Sequence, residues 1–209
     1  LINARKMRCI SQRDLCRMVE GKVSPTAIAK YEKGLMMPSS DVLVVLSQAL
    51  NMKLDYFFRP FTVAIDSSKF EFRKSSSMGA KKVEAVKCLV CSEIEKYVEI
   101  ESILGSSPAM SLDYSNTLVE TDGEAILMAL RFRRDMNIGL DAIASVVELL
   151  ESAGVKIIEI DHDRSFSGTC NKAGGMPVIV INRNMPSERK RITILHELGH
   201  LLMHCAEGV

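Results

Sequence analysis

The chain has 209 residues, 47% of them hydrophobic and 25% charged, with a formal net charge of +1. This describes an ordinary globular protein with room for two modest domains. No apolar run is long enough to cross a membrane and no signal-peptide pattern opens the chain, so no membrane contact is expected. Six Cys, at 9, 16, 88, 91, 170 and 205, lack the spacing of a disulfide framework and fit free thiols in a cytoplasmic protein.

The charge is uneven. Residues 1–60 carry ten Lys and Arg against five Asp and Glu, and the remainder carries 17 against 21. A basic N-terminal module on a mildly acidic body points to a polyanion as partner of the first part alone. Within that module, Ser11-Gln12-Arg13-Asp14 reads as a helix start leading into Leu15, Met18 and Val19, and Gly21-Lys22 ends the helix. Ser24 caps a second helix with Pro25 at its first position, Ile28 and Tyr31 form its buried stripe, and Gly34 stops it. Pro38-Ser39-Ser40 starts a third helix through Leu43, Leu46 and Leu50. Two helices around a short Gly-containing turn match a helix-turn-helix.

The order Ser11-Gln12-x-x-Leu15, Ser24-x-x-x-Ile28-x-x-Tyr31-Glu32-x-Gly34, Pro38-Ser39 and Leu54-Asp55-Tyr56-Phe57-Phe58 resembles the XRE/Cro-type helix-turn-helix family over residues 1–58. The resemblance implies that the module docks on double-stranded DNA. The family's contact positions fall here on Gln12, Ser24, Thr26, Ala27 and Lys30, with Lys33 nearby for phosphate. Thr26 could touch a thymine methyl or donate its hydroxyl, and Lys30 could reach guanine or a phosphate. Pro25 stands where the family often has a polar residue and cannot donate to a base. Cys9 stands where the family often has Gly, which changes only a local turn. The plainer alternative is a small helical module that docks only on protein.

Two short alternating runs, 61–65 and 70–73, could pair as a hairpin, and Ser75–Gly79 reads as a linker. A helix is predicted from Ala80 to about Leu104, with Val83, Val86, Val90, Ile94, Tyr97 and Ile100 or Glu101 near one stripe; it spaces the two ends or packs on a dimer mate. Cys88-x-x-Cys91 on that helix reads as two core-facing thiols, since no second pair accompanies it. The chain is thus divided into a DNA-binding domain over 1–60, a hairpin and helical linker over 61–108, and a catalytic half over 109–209.

In that half, Thr121-Asp122-Gly123-Glu124 is a capping box for a helix through Phe132. A helix is predicted from Asp141 to Ser152 with Gly154 at its end. A strand is predicted over 155–160, a turn-rich crossover over 165–175, and a nearly all-apolar interior strand over 177–182. Pro186-Ser187-Glu188 then opens a long helix with Ile192, Leu195, Leu198 (or Gly199), Leu202 and Cys205 at helical spacing. Arg189, Lys190 and Arg191 fall elsewhere, on a solvated side. Gly199 would let another backbone approach, or is simply a tolerated glycine.

That last helix carries His196-Glu197-Leu198-Gly199-His200, and three of the chain's four His crowd into residues 196–204. On a helix, His196 and His200 lie a turn apart on one face and can grip one Zn²⁺, while Glu197 points about 100° away and can reach a metal-bound water without ligating. A catalytic zinc needs three protein ligands and one open position. His204 lies two turns past His196, too far to share the ion, and Glu207 could serve only if the helix broke after Met203. The chain begins with Leu1 and stops nine residues after His200. Both ends are therefore expected to be trimmed, with the third ligand an acid further on.

Phe166-Ser167-Gly168, Pro177–Asn182, and Glu188-Arg189 leading to His196-Glu197-Leu198-Gly199-His200-Leu201-Leu202 resemble the ImmA/IrrE family of metallopeptidases over about 110–209. The resemblance implies an α+β, zincin-like domain with a small sheet. It implies His196 and His200 as zinc ligands, Glu197 as general base and a downstream Glu as third ligand. It also implies a protein substrate of the repressor type. The whole chain is then expected to be α+β and mostly helical: an all-α helix-turn-helix domain, a helical linker and the metallopeptidase domain. The rival expectations are a regulator whose peptidase-like domain binds or senses without cutting, and an antitoxin-like module that neutralises a co-encoded protein.

Overall fold

A computed structural model describes residues 1–58, 79–105, 118–162, 165–173 and 176–205. The architecture is α+β and mostly helical, as expected. The described residues fall into two compact units, one taking in those up to 58 with those from 79 to 95, the other those from 96 onward. The hairpin expected over 61–73 and most of the linker lie outside the described residues. Among the described residues, no helix is long and apolar enough to cross a membrane.

The first unit is all helical. Helix α1 (Ile2–Met7) ends at Cys9, a non-glycine residue in left-handed backbone at φ 57°. Helix α2 (Gln12–Met18) starts at Ser11, whose side chain accepts from the Asp14 amide while Asp14 reaches back to the Ser11 amide. Helix α3 (Pro25–Glu32) is capped by Ser24, which accepts from the Ala27 amide, and ends at Gly34 with φ 69°. Helix α4 (Ser40–Leu50) and a 3-10 turn (Leu54–Phe57) complete the module. Ala4, Leu15, Val19, Val23, Ile28, Leu46 and Leu50 form its core. Met18, expected in the α2 stripe, is exposed instead; Leu15 and Val19, one turn apart, carry the burial.

Helix α5 (Ala80–Leu104) buries Ala85, Val86, Cys88, Val90, Cys91 and Ile94. Ile100 stays exposed. Cys88 and Cys91 are buried thiols outside any disulfide, and burial pushes the Cys88 thiol up, away from the thiolate that metal binding or exchange would need.

In the second unit, helix α6 (Asp122–Asp135) begins with the Thr121–Glu124 capping box. Helix α7 is Val146–Ser152, capped by Ser145, and not the longer helix expected from Asp141. The preceding stretch gives its carbonyls to arginines: Arg133 donates to the oxygens of Gly139 and Asp141, and Arg191 to those of Ile143 and Ala144. Backbone oxygens satisfied this way gain nothing from a helix.

Three strands form the main sheet in the order β2 (Lys156–Ile160), β4 (Met176–Asn182), β3 (Gly168–Ala173). Strands β2 and β4 are parallel, and β3 runs antiparallel to β4 in the register Gly168↔Ile181 to Ala173↔Met176. The interior strand expected over 177–182 is therefore central. The expected turn-rich crossover contains the edge strand β3. Short strands β1 (Leu118–Val119) and β5 (His204–Cys205) pair in parallel.

Helix α8 (Ser187–Leu202) packs on β3 and β4 with Ile194, Leu198 and Leu202 inward. Ile192 and Leu195, expected inside, are 68% and 37% exposed. The helix stops at Met203, whose backbone is extended, so the chain leaves as β5 rather than continuing to Cys205. All three cations expected to be solvated have partners: Arg189 donates to Ser167 Oγ at 3.4 Å, Lys190 pairs with Glu159 at 2.8 Å, and Arg191 holds the two carbonyls named above. Beneath the sheet, buried Lys156 pairs with Glu101 and lies 4.9 Å from the Tyr97 ring centroid.

Candidate metal centre and nucleic-acid interface

On the first unit, Ser24, Thr26, Lys30 and Lys33 are exposed and Ala27 is half-buried. Ser24 and Ala27 have a local task, since they form the cap that starts α3. Gln12, half-buried, donates its amide to Glu32 at 2.7 Å. Arg5 grips the same carboxylate with two bonds, Nε at 2.6 Å and Nη2 at 2.9 Å, and donates Nη1 to the Ile10 carbonyl. On α3 and at its C-cap the exposed charged residues are Lys30 and Lys33, and Thr26 is the exposed hydroxyl-and-methyl group of its first turn.

On the second unit, α8 sorts its residues by face because successive residues turn 100°. Ile194, Leu198 and Leu202 face the core. Thr193 and Glu197 face the start of β3. His196 and His200 occupy a third face, His196 exposed and His200 half-buried. Their Nε2 atoms are 3.1 Å apart, with ring centroids at 4.6 Å and planes crossed at 83°. Two nitrogens each about 2.0–2.1 Å from one zinc can be at most about 4.2 Å apart, so the pair can share an ion without moving. The same separation also fits an N–H···N hydrogen bond between the two rings, its direction set by their tautomers. Among the described residues, no third His, Cys, Asp or Glu joins the pair. His204 belongs to β5, beyond the helix, and Glu207 lies outside the described residues.

The contact between α8 and β3 is close. A Cβ added at Gly168 would lie 2.6 Å from Thr193 Cγ2, 3.0 Å from the Val180 carbonyl oxygen and 3.6 Å from Glu197 Cγ. Only a residue without a side chain lets the edge strand come this near the acid of the motif. At Gly199, among the described residues, an added Cβ would meet only Met203 Cε, at 3.2 Å, the end of a flexible side chain. The close approach expected at Gly199 occurs at Gly168 instead.

We expect Gly168→Ala to cost about 1–3 kcal/mol through overpacking, read as a lowered urea midpoint. Adding Thr193→Ser, which removes Cγ2, should recover part of it. An unchanged midpoint in Gly168→Ala would show that the strand has slack.

Two segments match family models. Residues 1–57 match the helix-turn-helix family. Residues 150–208 match the peptidase family described as the IrrE N-terminal-like domain, a span that includes β2, β3, β4 and α8. No curated protein and no solved structure matched. The chain thus joins a helix-turn-helix segment to an IrrE-like segment, the combination that its residues resemble.

Proposed function

We propose that this chain is a DNA-binding transcriptional regulator whose second unit binds Zn²⁺ and hydrolyses a peptide bond in a repressor-type protein. The observation that supports the zinc site best is the convergence of His196 and His200 Nε2 at 3.1 Å, with Glu197 on the adjacent face against β3. His196 and His200 would hold the ion. An ion held there would supply Lewis-acid activation of the attacking water and of the scissile carbonyl. Glu197 takes a proton from the attacking water and passes it to the leaving amine.

Among the described residues strand β3 lies at the edge of its sheet, so an extended substrate segment can add to it by main-chain hydrogen bonds beside the motif. Strand β4, the other candidate for this role, is central and already paired on both sides.

The test is elemental analysis of the purified chain, alone and with His196→Ala or His200→Ala, alongside cleavage of a co-expressed repressor-type protein. Zinc that persists without both imidazoles would overturn the site. Zinc bound without cleavage would favour the rival, a partner-sensing domain.

For the first unit, double-stranded DNA is the proposed ligand, with Thr26 and Lys30 presented to the groove and Lys33 to phosphate. Fluorescence anisotropy on duplex DNA across a salt series should give a steep dependence. Lys30→Ala and Lys33→Ala should each flatten the slope by about 0.9 if each lysine neutralises one phosphate. A slope indifferent to both would count against groove docking. A homodimer on DNA would appear in the same titration as paired half-sites.

A further inference from the structure

Few polar side chains are buried in the second unit, and Asn182 is among them, at 2% exposure. It ends β4 after a run of apolar residues, Val178 to Ile181. An apolar residue there would avoid burying an amide, which is costly when unsatisfied. The amide is spent on backbone. Its Nδ2 donates to the buried Phe166 carbonyl at 2.9 Å, and its Oδ1 accepts from the Asn184 amide at 3.0 Å. Its own N–H donates to the Ser167 carbonyl at 3.0 Å. One residue thereby ties the turn after β4 to the two residues that precede β3.

The next residue is Gly168, the point at which β3 meets Thr193 and Glu197. A Cβ added there would meet Thr193 Cγ2 and the Val180 carbonyl oxygen, so the strand has no room for a side chain at this point, and Gly168 follows directly on Phe166 and Ser167. We propose that Asn182 is a positioning residue: by anchoring Phe166 and Ser167 it fixes where the edge strand passes Glu197. It acts through Gly168. Its effect on turnover rests on the hydrolase reading above; its effect on the strand does not.

Asn182→Asp is the informative variant. It keeps the shape and the acceptor for the Asn184 amide, and it sets an oxygen against the Phe166 carbonyl in place of a donor. Hydrogen exchange is measured by mass spectrometry on the full chain. The amides of Gly168 to Asn171 should exchange about tenfold faster or more, while those of β2 (Lys156–Ile160) stay within about twofold.

Affinity for added ZnCl2 should stay within about threefold, because both imidazoles sit on α8. On a mixed peptide library that the unmodified chain cuts, kcat should fall about tenfold or more and KM should change less than about threefold.

Unchanged exchange at Gly168 to Asn171, or equal acceleration in β2, would overturn the proposal and leave Asn182 as a packing residue only. A KM effect without a kcat effect would also overturn it. An unmodified chain that cuts no peptide sinks the hydrolase reading, while the exchange comparison still decides the positioning claim. If Asn182→Asp does not unfold cooperatively, Asn182→Ser, shorter but still a donor and acceptor, takes its place in the exchange comparison.

Discussion

Replacing Glu197 with Gln is expected to lower cleavage of the repressor-type substrate by about 10²–10⁴-fold while zinc content stays at the unmodified level. The separation of the two readouts follows from the faces of α8. His196 and His200 bring their Nε2 atoms together on one face, and Glu197 Cγ lies against the start of β3 on another. Gln keeps the length and shape that pack against Gly168, so the helix has no reason to shift. It cannot accept the proton of the attacking water. His196→Ala removes a ligand instead and should lose zinc and cleavage together. A regulator that only senses a partner predicts a different pattern, in which Glu197→Gln leaves transcriptional output intact. Cleavage that survives in the Gln variant would remove Glu197 from the proton-transfer role even with the metal in place.

The motif was legible because its two imidazoles and its acid lie within five residues of one helix. Its surroundings were not. Gly168 and Asn182 are 14 residues apart, and their relation exists only through the antiparallel register that sets Gly168 opposite Ile181. The segment Gly168-Thr169-Cys170-Asn171-Lys172-Ala173 has no alternating pattern and holds a Gly and an Asn, both poor strand formers. Its extended form comes from pairing with β4, which local reading cannot see.

On α8, Leu198 and Leu202 are inside as expected, but Ile192 and Leu195 are not, for a related reason. Ile192-Leu195 and Ile194-Leu198-Leu202 both fit a helical period, and only the covering sheet decides which stripe is inside. By contrast, the caps at Ser11, Ser24 and Thr121 were readable, since a short polar side chain bonding three residues ahead is wholly local.

Gln12 shows how an interior network can occupy a residue whose family position suggests an outward task. Arg5, Gln12 and Glu32 come from α1, α2 and α3, and the Arg5 and Glu32 side chains are only 13% and 3% exposed. Arg5→Ala leaves the Glu32 carboxylate buried without its cation. Breaking such a pair from one side costs about 3–5 kcal/mol, a large share of the total stability of a module this small. We expect Arg5→Ala to unfold the first unit at least partly at 25 °C, read as loss of its transition in urea while the second unit's transition remains. Arg5→Met with Glu32→Leu removes both charges and should restore most of the loss, because the pair's desolvation cost disappears with it.

Acid provides an independent check. Burial alone pushes the Glu32 carboxyl up, but the hydrogen bonds from Arg5 and Gln12 and the charge of Arg5 outweigh it and hold the group below its ordinary value. A carboxyl depressed on folding stabilises fully above its unfolded pKa, and that contribution is lost as pH falls through the folded one. The first unit should therefore lose stability on acidification below the ordinary carboxylate range, and Glu32→Gln should flatten that dependence while lowering stability at neutral pH. An acid limb that persists unchanged in Glu32→Gln would assign it to other carboxylates.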